Sequence, residues 1–347
     1  MSRLHIILSG CVMAILLVFG MASEVQAKSS PHSTQLRPLP DRFVIFQVPA
    51  HRRSLRALHE LGVGWIRLQL QMGERNKKHL LMPLKTGHGL WLTLYHRDQL
   101  NMNETGTIGF RRSKRGGFPP ADPRRYQKLI QDTLDPLVQY LHNQDKSPGE
   151  WLVIQINNEV APTDIAPDRP KRFWHGTGDQ YLETLSLAYD AIKAVDPTIP
   201  VAVAGISSVM MEFVLRGEPS VVAWCERLLK EGRFDWADVH LRHALDTIPS
   251  KVAWMRDRWK GPLASTEFAG PDERSGMVYT EEGQADELAP RMEAALSAGV
   301  DRIFWAGLVE NDFAGPIHAK EGLLEKNTWR RKPVFEAYRQ FIQSSAP

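Results

Sequence analysis

The strongest constraint on the fold of this sequence is an alternation, repeated eight times after Asp41, of short apolar runs with helical stretches. Such alternation is typical of repeated βαβ units around a parallel sheet. Several runs are apolar on both faces, as expected of strands buried on both sides. The runs span residues 43–48, 64–70, 90–96, 151–156, 201–206, 235–241, 263–268 and 302–308. With a final helix at 334–342, they predict one (β/α)8 barrel, the TIM barrel, which commonly forms a single α/β domain of ~250 residues or more.

The first 27 residues have the pattern of a secretory signal peptide. Arg3 precedes a mostly apolar stretch at 4–22, and Ala27 ends a Val-Gln-Ala sequence with small residues where signal peptidase reads. An uncleaved membrane anchor is the alternative, because ~18 or more apolar residues could also span a bilayer. The Pro- and Ser-rich residues 28–40 indicate a linker, so the barrel domain is expected to cover 41–347. We therefore expect an exported monomer, periplasmic or secreted, without a stable membrane partner beyond the signal segment.

Charge and cysteine content argue against two further possibilities. The formal net charge is only +3, with Lys and Arg scattered and mostly matched by Asp and Glu, so no nucleic-acid partner is expected. Cleavage after Ala27 would remove Cys11 and leave Cys225 as the single cysteine, so no intramolecular disulfide is expected. Cys225 lies on an apolar helical face, which favours a small core residue over a nucleophile.

Two glutamates follow the apolar runs that are predicted to be strands four and seven. Glu159 comes just after the run at 151–156, and Glu267 lies near the end of the run at 263–268. In a parallel barrel the active site forms at the carboxyl ends of the strands, so both side chains should reach the same face. Hydrolysis of a glycosidic bond needs one acid to protonate the leaving oxygen and one carboxylate to attack the anomeric carbon or activate water. The pair therefore predicts cleavage of a sugar substrate, although an acid at a strand end can also belong to a buried structural ion pair.

With Asn158 directly before Glu159, the chain resembles clan A of the glycoside hydrolases, the barrel group that includes families 5 and 39. In that clan the acid/base glutamate follows an asparagine at the end of strand four, and the nucleophile ends strand seven. The resemblance implies that Glu159 is the acid/base and Glu267 the nucleophile of a retaining double displacement. The implied substrate is an oligosaccharide or polysaccharide, and no cofactor or metal is implied.

Several other side chains are expected to bind the substrate or to orient the glutamates. They are Arg67, His96, Asn158, Trp174, His240 and Trp305. Arg67 would hydrogen-bond the nucleophile and hold its pKa low, and Asn158 would bind the sugar's 2-hydroxyl. The two histidines would contact the sugar or the glutamates, and the two tryptophans would offer flat apolar faces to sugar rings. Each of these residues also has a purely structural interpretation, as part of the core or of a turn.

One position departs from the resemblance, and two other functions remain open. Arg242 follows His240 by two residues, where many family 5 members have a tyrosine that touches the nucleophile.

The first alternative function is a barrel that binds polysaccharide without cleaving it. The second is a metal-dependent hydrolase that uses His96, His240, His243 and Asp238, although strand one lacks the paired histidines that such barrels use to hold metal.

The signal-peptide interpretation predicts a mature protein that begins at Lys28. Amino-terminal sequencing of the protein exported by a bacterial host is expected to give this start. Ala27→Phe should block cleavage, because the peptidase needs a small residue at that position, whereas Gln26→Phe should be tolerated. Recovery of the uncleaved wild-type chain in the membrane fraction would instead indicate an anchor.

Overall fold

Eight parallel strands form the sheet of the structure, a computed structural model that describes residues 42–46, 48–49, 52–72, 78–102, 116–166, 173–270, 278–311 and 318–344. The strands are β1 (Phe43–Phe46), β2 (Trp65–Met72), β3 (Gly89–His96), β4 (Leu152–Ile156), β5 (Val201–Ala202), β6 (Ala237–Asp238), β7 (Leu263–Phe268) and β8 (Arg302–Trp305). The predicted signal peptide at 1–27 and the linker at 28–40 lie outside the described residues.

The sheet is closed into a barrel. The strands are hydrogen-bonded in the order β5-β4-β3-β2-β1-β8-β7-β6, and each pairing is parallel. The two ends of this order meet through parallel bridges from Ala202 to Trp236 and from Ile206 to Val239. Each predicted run overlaps one of the eight strands, so the predicted (β/α)8 barrel is confirmed.

Helices surround the strands. They are α1 (Arg52–Leu61), α2 (Met82–Lys85), α3 (Pro123–His142), α4 (Pro148–Trp151), α5 (Gly178–Val195), α6 (Ser208–Leu215), α7 (Pro219–Glu231), α8 (Ile248–Arg258), α9 (Glu281–Ser297) and α10 (Pro333–Ser344). Short 3-10 helices occur at Lys78–Leu81, Gln99–Asn101 and Leu245–Thr247. Helix α5, which follows the β4 loop, begins with a capping box in which Thr177 and Gln180 satisfy each other's backbone N–H groups. Within the described residues, a helix with the length and apolar character needed to cross a bilayer is not found.

The apolar core has two parts. The larger part lies between the strands and the helices and takes in residues from almost every element, including the buried Cys225. The smaller part is a separate cluster to which each strand, or the residue next to it, contributes one side chain. Its members are Val44, Trp65, Trp91, Val153, Ala202, Trp236, Ala264 and Phe304. The guanidinium of Arg302 lies over the rings of Trp65 and Trp236, at 4.0 and 4.9 Å from their centroids. Because a side chain from every strand meets here, this cluster fills one layer of the barrel interior.

Truncation of the inner layer should destabilise the whole barrel. Trp91→Ala is expected to lower the free energy of unfolding by about 3–5 kcal/mol, because Trp91 is fully buried and packs edge-on against Trp236 and Phe304. The matched control Leu100→Ala removes a side chain that is 81% exposed and should change the free energy by less than ~0.5 kcal/mol. Urea titrations followed by fluorescence measure both values. Equal stability of the two variants would contradict the packing described for this layer.

Candidate active site

A polar layer fills the barrel interior next to the apolar layer. Side chains on a strand alternate in direction, so the residue two positions after an inward-facing one also faces inward. In five strands this second inward residue is polar, and the five are Arg67, Thr93, Gln155, Asp238 and Thr266. All five are buried. The sequence therefore places a charged and hydrogen-bonding layer between the tryptophan layer and the carboxyl ends of the strands.

Arg67 is the centre of this polar layer. Its Nε donates to Thr93 Oγ1 at 3.1 Å, and its Nη1 donates to the backbone oxygen of Thr266 at 3.0 Å. Its Nη2 donates to Gln155 Oε1 and Asn158 Oδ1, both at 2.9 Å. A buried guanidinium is tolerated only when its donors are satisfied in this way. Arg67 thus links β2 to β3, β4 and β7, and in place of the predicted hydrogen bond to Glu267 it makes an ion-pair contact of 3.7 Å.

Glu267 lies on β7 among positive and hydrogen-bonding groups. Its Oε1 accepts from Asn158 Nδ2 at 3.1 Å and lies 3.7 Å from Arg67 Nη1. Its Oε2 lies 3.3 Å from Arg242 Nη2 and 3.7 Å from His240 Nδ1. Burial raises the pKa of Glu267, but the charges of His240, Arg242 and Arg67 and the Asn158 hydrogen bond outweigh it. The pKa of Glu267 is therefore well below its ordinary value, and the side chain is ionised at neutral pH.

Glu159 follows β4 in a backbone conformation that is rare for its residue type. The φ angles of Asn157 and Glu159 are 62° and 43°, in the left-handed region. Backbone outliers of this kind cost free energy and cluster at functional sites. Glu159 Oε1 lies 3.1 Å from His240 Nδ1. Glu159, His240 and Glu267 each present an atom within 4.8 Å of the other two, and the two glutamate side chains are 18% and 14% exposed.

His240 is the buried link between the two acids. Its Nδ1 faces both carboxylates, while its Nε2 lies 3.3 Å from Thr266 Oγ1 and 3.8 Å from Asp238 Oδ2. Burial lowers the pKa of His240, but the charge of Glu267, the hydrogen bond to Glu159 and the charge of Asp238 raise it above the ordinary value. Asp238 is itself fixed, because its carboxylate accepts from Gln155 Nε2 and from the backbone N–H of Thr266 at 2.6 and 2.9 Å.

His96, at the end of β3, is held as one tautomer. Its Nδ1 lies 2.8 Å from the backbone oxygen of Phe118, which can only accept, so Nδ1 carries the hydrogen. Burial lowers the pKa of His96, which favours the neutral ring. Its Nε2 is then an acceptor, and among the described residues nothing is hydrogen-bonded to it. The ring packs edge-on against Tyr126, with centroids 5.2 Å apart.

Trp174 has a structural role, and the prediction that it offers a face to a sugar is wrong. Its side chain is fully buried, its Nε1 donates to the backbone oxygen of Thr177 at 3.0 Å, and its ring packs against Tyr181. It also pairs with Gly117, which joins the loops after β3 and β4. A Cβ on Gly117 would lie 2.0 Å from Asn157 Oδ1, so a larger residue would displace the Asn157 side chain in the turn that leads to Glu159. Through its pairing with Gly117, Trp174 therefore packs next to the turn at Asn157.

Trp305 on β8 is enclosed as well, so its predicted role as a sugar platform is also wrong. Its ring is fully buried and lies near the rings of Phe268 and Tyr338, at centroid distances of 6.3 and 6.1 Å. Its Nε1 donates to the backbone oxygen of Glu321 at 2.9 Å. The physical reason is that these neighbouring rings and the backbone of Glu321, in the loop after β8, pack against the indole.

The histidine set suggested for a metal-dependent hydrolase is not assembled. His243 Nδ1 contacts Glu212, and Asp238 is saturated by donors within the barrel. The group of potential metal ligands found among the described residues is instead Glu159, His240 and Glu267. The guanidinium groups beside Glu267 supply positive charge at this carboxylate, which opposes the binding of a second cation there.

Sequence reasoning missed several residues that complete the site. Gln155 and Thr266 follow from the two-residue strand period, which could have identified them as inward-facing. Glu321 could not have been found, because it lies in the loop after β8 with no local motif around it. Its carboxylate contacts Arg242, the residue that departs from the family 5 pattern.

Comparison with known proteins identifies the fold. No family model matches the sequence, and no curated protein matches it. Among solved structures, the GH39 enzyme from Xanthomonas axonopodis pv. citri is similar over 88% of this chain and 67% of its own, with 14% identity and a TM-score of 0.62. A GH39 β-xylosidase from Caulobacter crescentus gives 16% identity, 90% and 74% coverage and a TM-score of 0.57. A GH5_18 protein from Bifidobacterium longum subsp. infantis gives 13% identity, 88% and 79% coverage and a TM-score of 0.58. The chain thus has the barrel fold of clan A glycoside hydrolases, as the resemblance implied.

The raised pKa of His240 predicts a specific pH dependence of stability. Protonation of His240 stabilises the folded state fully below pH 6.5, and this contribution is lost as the pH rises through the higher folded-state pKa. Each unit of difference is worth about 1.4 kcal/mol. Urea titrations from pH 6 to pH 9 should therefore show a loss of stability that His240→Gln lacks. His59→Gln, at an exposed position, is the control and should keep the wild-type slope. Equal slopes in wild type and His240→Gln would refute this assignment.

Proposed function

We propose that this protein is a retaining glycoside hydrolase in which Glu267 is the nucleophile and Glu159 the acid/base. The observation that carries the proposal is the approach of the two acids, which present atoms within 4.8 Å of each other at the ends of β4 and β7. Retaining enzymes separate their carboxyl groups by ~5–5.5 Å, whereas inverting enzymes leave ~6.5–9.5 Å for a water molecule. The 4.8 Å limit applies to single oxygens of the two carboxylates; it is nearer to the smaller range, which supports direct attack by a carboxylate.

The mechanism follows from the contacts of each acid. Glu267, ionised, attacks the anomeric carbon with one carboxylate oxygen, while Glu159 transfers its proton to the leaving glycosidic oxygen as that bond breaks. In the second step Glu159 takes a proton from water, the water oxygen bonds to the anomeric carbon, and Glu267 leaves as a carboxylate. His240 Nδ1 lies 3.1 Å from Glu159 and 3.7 Å from Glu267, so its protonation is coupled to the charges of both acids.

One further side chain, Asn158, has a hydrogen-bond donor that we assign to the sugar. Asn158 uses one Nδ2 hydrogen on Glu267, so its second hydrogen can bind the 2-hydroxyl, a contact that strengthens in the transition state. His96 Nε2 is an acceptor with no exposed surface, so it is not assigned to the sugar. We infer an oligosaccharide or polysaccharide substrate, because solved structures of similar fold include a β-xylosidase, a glucosidase and a β-glucuronidase. Export through residues 1–27 would bring the enzyme to such polymers outside the cytoplasm.

Replacement of the nucleophile should abolish turnover and leave the fold intact. Glu267→Gln keeps the shape of the side chain and its Asn158 contact but removes the attacking charge, so hydrolysis of β-xylosides, β-glucosides and β-glucuronides should fall to background. Glu159→Gln should reduce the rate by roughly 10²–10⁴-fold, the usual value of a general acid/base. Glu150→Gln, at an exposed position on α4, is the matched control with unchanged activity.

Two measurements decide between this mechanism and its rivals. A 2,4-dinitrophenyl 2-deoxy-2-fluoroglycoside of the accepted sugar should leave a covalent adduct on Glu267, read by peptide mass mapping. Proton NMR of the first-formed product should show the anomeric configuration of the substrate. An adduct on another residue, an inverted product, or full activity in Glu267→Gln would overturn the assignment. Binding of polysaccharide without any hydrolysis would indicate a non-catalytic barrel.

A further inference from the structure

Glu267 is held by two guanidinium groups, and the second is the unexpected one. Arg242 Nη2 lies 3.3 Å from Oε2 of Glu267, while Oε1 is the oxygen that faces Asn158 and Arg67. Burial lowers the pKa of Arg242, but the charges of Glu321 and Glu267 outweigh burial and raise this pKa above its ordinary value. Arg242 is therefore a permanent positive charge at the carboxylate, in the place where the resemblance led to an uncharged tyrosine.

Arg242 is shared with a second carboxylate. Its Nη1 donates to Glu321 Oε1, and His318 Nδ1 lies 2.9 Å from that nitrogen and 3.0 Å from the same oxygen. The backbone oxygen of Glu321 accepts from Trp305 Nε1 at 2.9 Å and from Gln284 Nε2 at 3.2 Å. The loop after β8 is thus tied to β8 and to α9, and it holds the Glu321 carboxylate against the guanidinium. One cation lies between two carboxylates on opposite edges.

We propose that Arg242 and Glu321 act together as positioning residues that set the reactivity of Glu267. Arg242 stabilises the carboxylate form of Glu267. Glu321 limits that stabilisation, because its negative charge lies beside Nη1 of the same guanidinium and offsets part of the positive charge. The inference rests on the proposed function, since it takes Glu267 as the nucleophile. A more strongly stabilised carboxylate attacks more slowly but also leaves the covalent intermediate more readily, so this pair sets the balance between the two steps.

The other groups around Glu267 stay constant when this pair is changed. Charged and polar side chains face it from β2 (Arg67), from the end of β4 (Asn158 and Glu159), from the end of β6 (His240 and Arg242) and, through Arg242, from the loop after β8 (His318 and Glu321). Variants at Arg242 and Glu321 leave Arg67 and His240 in place. The pKa of Glu267 should therefore shift by a different amount in each variant, while Arg67 and His240 continue to favour the ionised form.

The pair makes a ranked prediction for the pKa of Glu267. Loss of the charge of Arg242 removes an attraction and leaves the repulsion of Glu321, so Arg242→Gln should raise this pKa most, by about 1 unit or more. The double variant Arg242→Gln/Glu321→Gln should raise it less, because both charges are gone. Glu321→Gln alone should lower it, because the guanidinium then acts on Glu267 unopposed.

The ranking can be measured without any substrate. Carbon-13 NMR of protein labelled at the glutamate δ-carbon gives the carboxyl signals, and the difference from Glu267→Gln assigns the Glu267 signal. Wild type and the three variants are titrated. The pKa of Glu267 should be lowest in Glu321→Gln and should then rise in the order wild type, double variant, Arg242→Gln. If Arg242→Gln alone does not fold, the double variant still has to lie above wild type. An unchanged Glu267 titration in folded variants, or a different order, overturns the inference.

Kinetics separate this inference from the proposed function. With the fluoroglycoside used above, the acid limb of the pH profile for adduct formation should move up in Arg242→Gln, and adduct formation at neutral pH should slow in Glu321→Gln while its hydrolysis quickens. If the wild type forms no adduct but the NMR order holds, the hydrolase proposal fails and the electrostatic inference stands. If the adduct forms but the NMR order does not hold, the electrostatic inference fails and the hydrolase proposal stands. The matched control is Arg258→Gln/Glu226→Gln, which removes an ion pair between the outer helices α8 and α7 and should leave the profile unchanged.

Discussion

The arrangement of the site depends on the burial of one positive charge, the guanidinium of Arg67, inside the barrel. An unpaired ion in that position would cost several kcal/mol, so each of its donors has to meet an oxygen. Those oxygens come from β3, β4 and β7, and they include the side chain of Asn158 and the backbone of Thr266, which directly precedes Glu267 in the chain. The same contacts that make the charge tolerable therefore bring the ends of β4 and β7 together.

The site that results is asymmetric in charge. Both oxygens of Glu267 face cations or donors, from Arg67 and Asn158 on one side and from Arg242 and His240 on the other. The contact described for Glu159 is with His240, a group whose charge depends on pH. The double displacement that we propose needs one acid that is ionised before it attacks and one that exchanges its proton. The distribution of cations around the two acids supports that proposal.

The fold was largely predictable, and the exposure of side chains was not. All eight strands occur where short apolar runs predicted them, although β5 and β6 are reduced to two residues each within runs of six and seven. Beyond these short strands the two runs still meet through an isolated bridge between Ile206 and Val239. The errors were Trp174 and Trp305, which the sequence allowed as sugar platforms. Whether a ring is exposed depends on contacts with other segments: Trp174 pairs with Gly117 in the loop after β3, and Trp305 donates to Glu321 in the loop after β8.

The sequence by itself determined the number and order of the strands, and the position of both glutamates at the carboxyl ends of strands four and seven. It could do so because strand direction and the two-residue alternation of side chains are local properties of the backbone. Only the tertiary structure decided how close the two acids lie and which charges surround them. Arg242 and Glu321 are 79 residues apart in the chain and have no motif in common, so their contact at Glu267 exists only once the barrel has closed and the loop after β8 has packed over it.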